Sequence, residues 1–102
     1  MLTKQKVLEV IMDCETENLY PTELGYLQKK EFALVSYNLS GLEALYYYIL
    51  NYKGENMLEA VESFRQMVND FSCEAGINNP AGYIFSIYYD IASYILDLII
   101  QM

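Results

Sequence analysis

Apolar residues recur every three or four positions along most of this chain, and the gaps between those runs divide it into helices. The first run follows Thr3, a suitable N-cap, and extends to about Asn18, with Val7, Val10, Ile11 and Cys14 on one face. Glu9, Asp13 and Thr16 fall on the other. Tyr20-Pro21 punctuates the chain, and Thr22 with Glu23 is able to open a new helix. From Leu24 to Tyr52 the wheel is continuous: Leu24, Leu27, Leu34, Gly41, Leu42, Leu45 and Ile49 stay on one side. The polar arc opposite is narrow and holds Ser36, Ser40, Glu43, Tyr47 and Asn51. One long helix fits this stretch, and so does a short one near 22–29 followed by a longer one near 31–53, because Gly25, Lys29-Lys30-Glu31 and Ser40-Gly41 are weak spots.

Lys53-Gly54-Glu55 reads as a stop, with a base for the last turn and a glycine able to take a positive φ. Asn56 and Glu59 have capping-box spacing for a third helix whose apolar face is Met57, Val61, Phe64, Met67, Val68 and Phe71. Glu59, Glu62, Gln66, Asn69 and Asp70 cover its other face. A loop over Glu74 to Asn79 leads to Pro80, which suits position N1 of a last helix capped by Asn79 and running to Met102. No segment alternates in the manner of a strand, so the expected fold is all-α: a compact bundle of four main helices, or five, in one domain over 1–102.

The last helix is the most unusual. At about 100° per residue, Ser86, Asp90, Ser93 and Asp97 form one narrow polar line, and Ile84, Tyr88, Ile91, Ile95, Leu98 and Ile99 lie opposite. A helix this apolar is expected at the centre of the bundle or at a seam between two copies. It is long enough to span a bilayer, but an aspartate at mid-membrane costs about 2.5 to 3.5 kcal/mol, and two share one face here. The expectation is a core helix and no membrane association. The second helix is expected to be mostly buried too, forming the hydrophobic centre with the last while the first and third cover them.

Composition sharpens this picture. The hydrophobic share is 54%, above the ordinary 45–50% or so of soluble domains, and a chain of 102 residues buries only about 60–65% of its unfolded surface. Two mostly buried helices in so short a chain lack cover, which points to a homodimer. Fourteen acids against six bases give a net charge of −8, and Arg65 and the five lysines are scattered, so nucleic-acid binding is disfavoured. A partner protein with a basic surface is the complementary expectation.

Candidate chemistry is sparse. The chain has no histidine, so the usual base for a Ser or Cys nucleophile is missing, and the single glycines make no phosphate loop. Asp90 and Asp97, with Glu43 as a third acid, form the one carboxylate constellation, but the two aspartates stand about 10 Å apart along their helix. A solvated stripe is the plainer reading. Cys14 and Cys73 lack metal-ligand spacing and read as buried thiols of a cytoplasmic protein. No catalytic residue, metal or cofactor is expected.

Eleven tyrosines and no tryptophan are the remaining signal. Tyr47 lies in the polar arc of the second helix, and Tyr83, Tyr89 and Tyr94 flank the aspartate line of the last. Tyrosine rings pack while their hydroxyls stay wet, and they are enriched at protein interfaces. The candidate interaction surface is therefore Tyr47, Tyr83, Ser86, Tyr89, Asp90, Ser93, Tyr94 and Asp97. Asn38, beside Leu34, Leu42 and Leu45, has the position of a register-setting polar residue, and Gly41 permits either a close helix approach or a break. In size, charge and helix content the chain resembles the compact acidic four-helix proteins among bacteriocin and toxin immunity proteins and small phage-encoded inhibitors. The resemblance is one of fold alone and implies an acidic inhibitor or nucleic-acid mimic as the alternative to a self-associating bacterial or phage interaction module.

Overall fold

The computed structural model describes residues 2–17, 32–76 and 78–102, and four helices account for most of these. They are α1 (Lys4–Glu17), α2 (Phe32–Asn51), α3 (Met57–Ala75) and α4 (Pro80–Ile100), with no strand among the described residues. The expectations for Tyr20-Pro21 and for a short helix near 22–29 lie outside those residues, as does the side chain of Asn38.

The caps follow the side-chain chemistry. Thr3 Oγ1 accepts from the Lys6 N–H at 3.2 Å and starts α1, Asn56 Oδ1 accepts from Glu59 N–H at 3.1 Å, and Asn79 Oδ1 accepts from Ala81 N–H at 3.0 Å with Pro80 just inside α4. The end of α2 departs from expectation. The helix stops at Asn51, with no base in its last turn, and Gly54 is not among the described glycines with positive φ. Gly54 instead makes room for the Tyr52 ring, whose Cε2 lies 2.6 Å from where a Cβ would stand. The terminal carbonyls are served from α1: Lys4 Nζ donates to Leu50 O at 3.2 Å and to Tyr52 O at 2.7 Å.

Positive φ is used at Gly76 (φ 82), which ends α3 by donating its N–H to Ser72 O. The chain doubles back there so tightly that a Cβ on Gly82 would run into the Gly76 carbonyl, and Ser72 Oγ donates to Gly82 O at 3.0 Å. This fold-back lays α4 along α3. Gly41 settles between its two readings: it lies inside α2, where a Cβ would stand 2.6 Å from Ile91 Cδ1 and 2.9 Å from Tyr88 Cδ1, so it is a site of close approach to α4.

One core joins the four helices, drawing on Val7 and Ile11 of α1, Leu45 and Ile49 of α2, Val61 and Phe64 of α3, and Ile91 and Ile95 of α4. Both α2 and α4 touch every other helix, and α1 and α3 flank them. The expected depth of burial is not reached. Only a third of the most apolar window of α4 is buried, and on the described part of α2 Ser40, Glu43, Tyr47, Leu50 and Asn51 are all exposed. The buried face of α4 is also turned from the expected one: Ala92 and Leu96 are buried, while Ile84, Tyr88 and Leu98 are only partly covered. The reason is that α4 wedges against α3 as well as α2, which draws its contact face toward α3. On α3, Phe71 is exposed rather than in the core; it leans on the Phe85 ring, 5.3 Å away, near the helix end.

Candidate interaction surface

Along the outer side of α4, Tyr83, Ser86 and Asp97 are exposed, and Asp90, Ser93 and Tyr94 are half-buried. The fold thus keeps the expected polar line together on one helix face. Around it the apolar side chains are poorly covered: Tyr83 is 52% exposed and Ile100 58%, and Ile87 and Leu98 are only partly buried. Burial raises the carboxyl of Asp90 above its ordinary value of 3.8 by penalising the charged form.

Two of the expected surface residues do not join this line. Tyr89 turns toward α3, where its ring lies 5.7 Å from the Arg65 guanidinium carbon, a cation–π contact that ties the two helices. Tyr47 belongs to a different surface. It is 53% exposed on α2, meets Tyr46 edge-on at 5.7 Å, and lines a groove of about 600 Å³ with Tyr48, Phe64 and Met67. Sequence patterning shows Tyr47 at the margin of α2 but cannot show that α3 supplies the facing wall. A second hollow, of about 370 Å³, lies where α3 gives way to α4 and is lined by Ser72, Cys73, Gly76, Gly82, Tyr83 and Ser86. Cys73 is exposed there, contrary to expectation, because it stands half a turn from Phe64 on the outward side of α3; Cys14 is buried, and the two form no disulfide.

Glu43 sits exposed on α2, and no group of three or more Cys, Asp or Glu side chains gathers as a metal set among the described residues. Lys6–Glu9, at 3.9 Å, is the one ion pair among them, which leaves the exposed acids of α3 unmatched by bases. By length and composition α4 is the one described helix able to cross a membrane, yet Ile91, Ala92, Ile95, Leu96 and Ile99 lock one face of it into the core. We find no family model, curated protein or solved structure that matches this chain.

Proposed function

We propose that the protein is a non-enzymatic interaction module that works as a homodimer, with the outer face of α4 as the self-association surface. The observation that carries this reading is the apolar surface left open beside the Ser86–Asp90–Ser93–Asp97 line, with Tyr83 52% and Ile100 58% exposed. Ile87 and Leu98, only partly buried, stand between these two ends of the helix, and tyrosine contributes packing area at low entropic cost where such a face meets a protein. Because Ser86 is exposed, Ser86→Glu extends the acid line without disturbing the monomer. A two-fold contact through this face already brings Asp90 and Asp97 of both copies together, so the added charges increase the repulsion between like charges. Light scattering on the eluting peak is expected to give a dimer for the parent and a monomer for Ser86→Glu, with unchanged helicity; a dimer in both removes α4 from the interface.

A second reading, an acidic inhibitor that docks on a basic protein, draws support from α3. Glu59, Glu62, Asp70 and Glu74 are exposed there, and Arg65, the base on the same helix, is engaged with Tyr89. The acids are spaced along a helix rather than packed as a phosphate-like array, which favours a protein partner over nucleic-acid mimicry.

A further inference from the structure

The groove between α2 and α3 lies apart from the α4 face, and its walls differ in kind. Tyr48 meets Phe64 edge-on at 5.4 Å and Tyr52 at 6.0 Å, forming an aromatic floor at the end nearest the link between the helices. Ala44 and Met67 continue it, and Tyr47 stands over it, half in water. Wall, floor and volume suit the apolar stripe of one helix.

Charge defines the rim. Glu43 lies about 40° round α2 from Tyr47, and Asp70 and Glu74 lie about 60° and 20° round α3 from Met67, all three exposed. From the Tyr48–Phe64 contact, α2 runs back and α3 runs forward at about 1.5 Å per residue, so Glu43 and Asp70 reach about 7.5 and 9 Å along opposite walls. The mouth is therefore acidic on both sides. Lys53 is the base at the closed end, and Arg65 is turned away over Tyr89. A second copy of this chain is a poor occupant of the groove, because its six bases are scattered and no described helix of it offers an apolar stripe flanked by bases to the Glu43 and Asp70 rim.

We infer that the groove between α2 and α3 is a docking site for an amphipathic helix of a partner protein, with its apolar stripe on Tyr47, Tyr48, Phe64 and Met67 and its flanking Lys or Arg residues meeting Glu43 and Asp70. The inference rests on the interaction reading above and gives its second form a partner chemistry. Affinity comes from the apolar stripe; orientation and association rate come from the charges and fall with salt.

The chain has no tryptophan, so a peptide carrying one indole reports binding with no background from the protein. The probes are two peptides of about 18 residues with the same leucine stripe and one tryptophan, one with lysine and one with glutamate on the polar face, titrated at low salt. The lysine peptide is expected to bind about tenfold more tightly or better, Tyr47→Ser to weaken it severalfold, and Glu43→Lys with Asp70→Lys to reverse the preference. These are exposed positions, and circular dichroism checks that each variant keeps its helices. Equal binding of the two peptides, a preference unmoved by the charge reversal, or amide shifts that map to Tyr83 and Asp97 instead of Tyr48 and Met67 would overturn the inference. Sedimentation of the same samples keeps the two readings separate. A chain that dimerises but ignores the peptide loses the groove alone, a monomer that binds it loses the α4 dimer alone, and dimerisation abolished by the charge reversal assigns the groove to a second copy and ends the inference.

Discussion

Two glycines separate the ways a missing Cβ shapes this bundle. At Gly41 an added methyl would press on the buried Ile91 Cδ1 and on the Tyr88 ring, which is held by Ser40, whereas at Gly82 it would meet the backbone carbonyl of Gly76, which has less room to move. Alanine in a helix interior gains up to about 1 kcal/mol of propensity over glycine. Overpacking costs about 1–3 kcal/mol, so Gly82→Ala is expected to lose that much and Gly41→Ala less, because side chains shift more readily than backbone and the propensity gain offsets part of the loss, both measurable by urea denaturation. Asp90 gives the pH prediction. Burial holds its carboxyl above 3.8 in the folded chain, so the protonated form stabilises the fold fully below that ordinary value, and this contribution is lost as pH rises through the raised one. Asp90→Asn is expected to melt higher than the parent near neutrality, with the gap closing as pH falls toward 3.8; a gap constant with pH contradicts this.

At the scale of elements, boundaries were most legible where one side chain decides them. Thr3, Asn56 and Asn79 stand at the expected N-caps and each accepts from an amide of the first turn, so Asn56→Ala is expected to cost about 1 kcal/mol and to fray the start of α3 in hydrogen exchange. Where the deciding group comes from elsewhere in the fold, local pattern misleads. The end of α2 reads as a glycine stop, yet the carbonyls are met by Lys4, 46 and 48 residues away, and no wheel reveals that partner. The same holds for the candidate surface. The aspartate line of α4 is a property of one helix and was readable from its period, but the removal of Tyr89 by Arg65 and the pairing of Tyr47 with Phe64 and Met67 depend on how α3 crosses its neighbours. The buried face of α4 departs from the wheel for a related reason: the wheel gives the centre of hydrophobicity, whereas two unequal neighbours set the centre of contact.

The whole molecule carries exposed apolar side chains on α4 and a tyrosine-lined groove between α2 and α3, two faces with different chemistry. The proposed dimer covers the α4 face with a second copy. Sedimentation equilibrium on the wild-type chain at neutral pH, from about 1 to several hundred micromolar, tests it most directly. A monomer–dimer equilibrium with the dimer dominant at the upper concentrations is expected; a single monomeric species of 11.8 kDa throughout rules the dimer out.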